Sequence, residues 1–149
     1  MAKRYVDVNV FVYWLCSHPS FGEKAKNWIE KIEKEGNCIT SSLTIYETLV
    51  IVAGLTNKSL KDKEFVKIVI NSIMGLKGLK VEPLTKEDIT KALEIMNDFG
   101  LDFEDSLHLA VALRKNVKEI VSNDSDFDRT NIKRGLLILF YPAHRRIHS

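Results

Sequence analysis

A chain of 149 residues, 45% hydrophobic and 28% charged, has the make-up of one soluble globular domain, here taken as residues 1–149. A chain of this length buries about 68–70% of its unfolded surface, enough for a core without disulfides or structural metal. The formal net charge of +2 excludes a protein that gathers polyanions by overall charge, so nucleic-acid contact has to come from a local patch.

Residues 4–10 predict a first strand that passes at once into a short helix ending near Leu15, with Pro19 as a breaker. Residues 23–35 predict an amphipathic helix with Ala25, Trp28, Ile29 and Ile32 at helical spacing, stopped by Gly36-Asn37. Cys38-Ile39-Thr40 is a short second strand. Thr44 opens an apolar helix through Gly54, and residues 59–74 predict another. Residues 80–84 are strand-like, 85–99 and 102–114 helical, 119–122 a strand and 135–141 a last strand. Strands alternating with helices predict a three-layer α/β/α sandwich around a central parallel sheet, Rossmann-like in layout. Such sheets bind ligands beyond the carboxyl ends of their strands.

Cys16 and Cys38 lack CxxC spacing and neighbouring histidines, which argues for reduced thiols, no zinc site and a cytoplasmic setting. No signal peptide is expected at the N-terminus, and no apolar run approaches the ~20 residues of a membrane span.

Several acids stand where the predicted elements leave the sheet. Asp7 falls inside the apolar run Tyr5–Leu15, which holds no Lys or Arg, and an uncompensated carboxylate there costs several kcal/mol. Neither a cap nor a turn accounts for it, whereas a metal ion would. Glu47 reads equally as the partner of Thr44 in a capping box or as a site residue. Asp105 reads as a first-turn acid behind an Asp102 N-cap, yet it opens the run Leu107–Leu113, apolar on nearly every face. Asp124 reads as an Asx turn after a strand, or as a fourth site acid. Thr85-Lys86-Glu87-Asp88 is a capping start with no assigned function. His108 is expected to be a packed helix histidine, and His18, His144 and His148 to be solvated. Arg129, Lys133, Arg134, Arg145 and Arg146 make the C-terminal region the most basic, as a wet surface or a phosphate-tracking patch.

The order of these features carries a resemblance. An Asp-x-Asn at Asp7 and Asn9 is followed by Glu47 in a helix entered through Ser41-Ser42-Leu43-Thr44. Next come the run from Asp105 to Ala112 and the stretch Ser122 to Phe127 after a hydrophobic strand. From Tyr5 to Leu139 the chain resembles the PIN-domain family, in particular its VapC-type toxin ribonucleases. The resemblance implies a parallel sheet flanked by helices and a Mg²⁺- or Mn²⁺-dependent endoribonuclease that leaves a 5′-phosphate and a 3′-hydroxyl. Carried over by position, its acidic site is Asp7, Glu47, Asp105 and Asp124, with Asn9 and Ser122 as supporting polar residues and Asp126 as an acid beside the fourth. Ser122 stands where threonine is frequent and keeps the hydroxyl.

The charges make chemical sense of that set. Two carboxylates ~4 Å apart repel by about 4 kcal/mol at an effective dielectric of ~20, so converging acids hold a proton or a cation. Oxygen ligands without Cys or His select Mg²⁺ or Mn²⁺, here through Asp7, Asp105 and Asp124, with Glu47 to orient water. The resemblance further implies single-stranded or structured RNA as substrate, a homodimer and a small antitoxin protein. The alternative is a catalytically inactive PIN-like scaffold that binds RNA or protein. A receiver-type signalling domain fits poorly, because strand one offers a single Asp followed by Asn.

Overall fold

A computed structural model describes residues 3–135. Among them are the strands β1 (Arg4–Val6), β2 (Cys38–Ser41), β3 (Leu79–Glu82), β4 (Glu119–Val121) and β5 (Lys133–Gly135). All are parallel, in the order β3-β2-β1-β4-β5. The helices are α1 (Val8–Leu15), α2 (Gly22–Glu35), α3 (Ser42–Thr56), α4 (Lys63–Met74), α5 (Lys86–Phe99) and α6 (Phe103–Arg114).

Side chains alternate across a strand, and here the alternation sorts the core into two layers. Tyr5, Ile39 and Ile120 stand in register on adjacent strands and pack with Ile95, Leu109 and Val111 of α5 and α6. One residue along, Val6 and Val121 face the other way, onto Val10 and Phe11 of α1, Ile29 and Ile32 of α2 and Ile73 of α4. The expected α/β/α sandwich is thus the observed one.

Several boundaries differ from the sequence expectation. The first strand ends at Val6 rather than residue 10, because the Asp7 carboxylate accepts from Val8 N at 2.8 Å and caps α1. The apolar run alone could not show this turn. Asn9 therefore sits in the first turn of a helix. Helix α3 begins two residues before Thr44, with Ser41 as its cap accepting from Thr44 N, so the Thr44/Glu47 capping box is not formed. Helix α4 starts at Lys63 behind an Asp62 cap, later than expected. The Thr85/Asp88 capping box and the Asp102 cap are present as expected. Buried Asp88 also takes Arg114 Nε and Nη2 at 2.9 and 3.0 Å, joining α5 to α6. Burial raises its carboxyl, but the Arg114 and Thr85 hydrogen bonds outweigh that and hold it below the ordinary range.

His18 is half-buried rather than free in solvent: its Nδ1 accepts from Ser20 N and Phe21 N, both at 3.0 Å, and its ring packs on Tyr13 and Phe21. The last strand covers Lys133–Gly135, and the rest of its expected span lies outside the described residues. So do His144, His148, Arg145 and Arg146.

The link from α4 to β3 depends on Gly78, whose φ is +80°; a Cβ there would lie 2.3 Å from Ile32 O and 2.7 Å from Gly36 Cα. Gly78→Ala should destabilise the fold by about 2–4 kcal/mol, from the left-handed backbone and the overpacking together. A urea midpoint unchanged from wild type would contradict this close backbone approach.

Candidate active site

The site is built where β1 and β4 leave the sheet side by side. Val6 pairs with Val121, so the residues that follow, Asp7 and Ser122, emerge as neighbours at the carboxyl edge. Asp7 is 5% exposed. One of its oxygens caps α1 and the other accepts from Ser122 Oγ at 2.6 Å. The same hydroxyl accepts from Asp124 N at 3.0 Å and from Asn9 Nδ2 at 3.4 Å. Asn9 Oδ1 in turn accepts from Asn123 N at 3.2 Å. A serine hydroxyl has one donor and two acceptor positions, and all three are used here.

Two further elements aim acids at this corner. Asp102 caps α6 by accepting from Asp105 N at 2.8 Å, which sets Asp105 in the first turn, buried, with Glu104 exposed beside it. Asp124 starts the 3₁₀ turn Ser125–Arg129, accepting from Asp126 N at 2.9 Å, and fully buried Phe127 pins that turn to the core. Carboxylate oxygens of Asp105, Asp124 and Asp126 lie within 4.8 Å of one another. Asp7, Asn9, Asp105, His108 and Asp124 line one cavity of about 360 Å³, whose apolar side is Val12, Tyr13, Ile51 and Leu55.

No lysine or arginine cancels the charge of Asp7, Asp105 and Asp124 at this corner, and the cationic group that shares their cavity is His108. Among the described residues no ion pair involves Asp7, Asp105 or Asp124. Asp126 meets Arg129 at 3.5 Å, and Arg134 is committed to Asp128 and to Ser122 O. The consequence falls on Asp105. Burial, then the charges of Asp124, Asp102 and Asp7, and a hydrogen bond with Asp124, push its carboxyl up to about 7. Without a cation, this group of acids therefore retains a proton close to neutral pH.

Of the residues expected from sequence, Asp7, Asn9, Asp105, Ser122 and Asp124 come together, and Asp126 joins Asp105 and Asp124 more closely than its secondary rank implied. Glu47 is not among the residues that line the cavity and meets it through His108. Its Oε1 lies 2.6 Å from His108 Nε2, and its side chain is 11% exposed. His108, 1% exposed, has its other nitrogen 2.6 Å from Tyr5 Oη, which donates to Ser41 Oγ at 2.9 Å. Burial alone would lower the histidine, but Tyr5, Glu47 and Asp7 outweigh it and raise it well above its usual range. His108 is packed, as expected, but its bond to Glu47 was not foreseen. The signal was available: Asp105 and His108 are three apart, on one face of a helix otherwise apolar there.

Comparison with known proteins bears on the fold and the family. The VapC20 toxin of Mycobacterium tuberculosis, described as cleaving the sarcin-ricin loop, aligns with a TM-score of 0.68 at 17% identity, over 85% of this chain and 93% of its own. VapBC2 from Rickettsia felis, bound to a DNA fragment from its promoter, aligns with a TM-score of 0.62 at 21% identity, over 88% and 96%. DNA-bound VapBC from Salmonella typhimurium gives 0.66 at 16% identity, over 92% and 99%. At such identities these structures share the fold. No curated protein sequence matches the chain. The model of the PIN domain matches residues 4–133, nearly the whole described chain, and the protein belongs to the PIN-domain family.

Proposed function

We propose that the chain is a Mg²⁺- or Mn²⁺-dependent endoribonuclease and the toxin of a toxin–antitoxin pair. Membership in the PIN-domain family supports a nuclease. The observation that carries the metal dependence is the convergence of Asp105, Asp124 and Asp126 within 4.8 Å, beside Asp7, with no lysine or arginine on the first two. An all-oxygen donor set suits Mg²⁺ or Mn²⁺ and not zinc. Asp7, Asp105 and Asp124 would hold the ion, with Asp126 as a further carboxylate at the same place. A bound divalent cation supplies charge neutralisation at a scissile phosphate and acidifies water.

The remaining work falls to the chain itself. Ser122 and Asn9 keep Asp7 and Asp124 in fixed orientation, so little reorganisation is needed when substrate arrives. Glu47 would orient the attacking water and accept its proton. The apolar cavity wall at Val12, Tyr13, Ile51 and Leu55 suits an unstacked base more than a duplex, which favours single-stranded RNA.

The VapC and VapBC neighbours support an RNA substrate and a small antitoxin partner. Exposed Ile68 and Met74 on α4 offer apolar surface for a homodimer. Among the described residues no helix is long and apolar enough to cross a membrane.

Incubation of single-stranded RNA with the protein and millimolar Mg²⁺ or Mn²⁺ should give cleavage that EDTA reduces by at least about 10²-fold. Cutting that persists in EDTA would refute the metal role. An RNA that is bound but never cut would instead favour the inactive scaffold.

A further inference from the structure

We propose that His108 is a positioning residue that holds the Glu47 carboxylate at a set distance from the acidic cavity, with Tyr5 bracing the imidazole from behind. This rests on the nuclease reading above and adds a component to it. Glu47 is a long side chain on α3, and unrestrained it would lose rotamer freedom only when catalysis demanded it. The 2.6 Å contact to His108 Nε2 removes that freedom in advance.

The bracing is specific. Tyr5 Oη donates to Ser41 Oγ at 2.9 Å, which leaves it to accept from His108 Nδ1 at 2.6 Å. Both ring nitrogens then donate, one to the tyrosine and one to the carboxylate. Tyr5 belongs to β1, two residues before Asp7, while Ser41 caps α3, the helix of Glu47. His108 lies one turn after Asp105 on α6 and itself lines the cavity. One imidazole thus fixes Glu47 relative to both Asp7 and Asp105. A filler side chain in so buried a position would be apolar, because a polar network there must be completely satisfied to be tolerated.

A kinetic cycle tests this. Single-stranded RNA cleavage in Mn²⁺ would be measured for wild type, E47Q, H108Q, E47Q/H108Q, Y5F, E47Q/Y5F and D105N, each checked by thermal unfolding. E47Q should lower kcat by about 10²-fold, as loss of a proton acceptor does. H108Q should lower kcat by about 10-fold or more, with KM within about twofold of wild type. E47Q/H108Q should be no slower than E47Q, since His108 acts only through Glu47. Multiplying losses, or an H108Q enzyme with wild-type kcat, would overturn the assignment. If H108Q fails to fold, Y5F against E47Q/Y5F decides by the same rule. An inactive D105N with a multiplicative cycle leaves the nuclease reading standing without this role, whereas a fully active D105N removes both.

Discussion

Asp105→Asn should silence RNA cleavage, lowering kcat/KM by at least about 10²-fold, while making the cation-free protein more resistant to heat at neutral pH. The two effects share one cause. Burial first, then Asp124, Asp102 and Asp7, raise the Asp105 carboxyl from about 4 to about 7 in the folded state. A group with a raised folded pKa favours folding while protonated, so its contribution is complete below about pH 4 and is lost as pH climbs toward about 7. Asparagine is neutral throughout and escapes that loss. In EDTA, wild-type Tm should therefore fall from pH 4.5 to 8 more steeply than that of Asp105→Asn. Millimolar Mn²⁺ should restore the wild type at pH 8 and leave the variant nearly unmoved. Parallel pH curves for the two proteins would contradict the convergence of these acids.

Phe127→Ala should cost about 3–5 kcal/mol of folding stability, the range for emptying a fully buried aromatic site. Its significance lies in what the ring holds. Phe127 is the one buried residue of the turn that starts at Asp124 and carries Asp126. Loosening that turn should weaken Mn²⁺ binding even at temperatures where the variant remains folded. One residue on, Asp128 pairs with Arg134 but is mostly exposed, and Asp128→Ala should cost no more than about 1 kcal/mol. Urea midpoints of the two variants make the comparison. A Phe127→Ala protein within 1 kcal/mol of wild type would mean that the ring does not anchor the turn.

Some of this protein was determined by the sequence alone. Apolar periodicity and punctuation by Gly, Asn and Asp are local properties, so the alternation of strands and helices, and hence the parallel α/β layering, could be read from it. The Asp102 cap and the Thr85/Asp88 box were legible for the same reason, since their partners lie three residues apart. The order of the acids along the chain was enough for a family resemblance.

Tertiary structure decided the rest, because each remaining fact depends on partners remote in sequence. Whether the apolar run at Asp7 continued as strand or turned into helix depended on where the sheet ends, and β4 sets that edge by pairing with Val6. Ser122 reaches Asp7 across 115 positions, and His108 reaches Glu47 across 61. No spacing rule spans such separations. Only folding could bring Asp126 within 4.8 Å of Asp105 and Asp124, or set Glu47 against an imidazole instead of its own helix terminus, because hydrogen bonds and charge repulsion act over a few ångströms of space, whatever the distance along the chain.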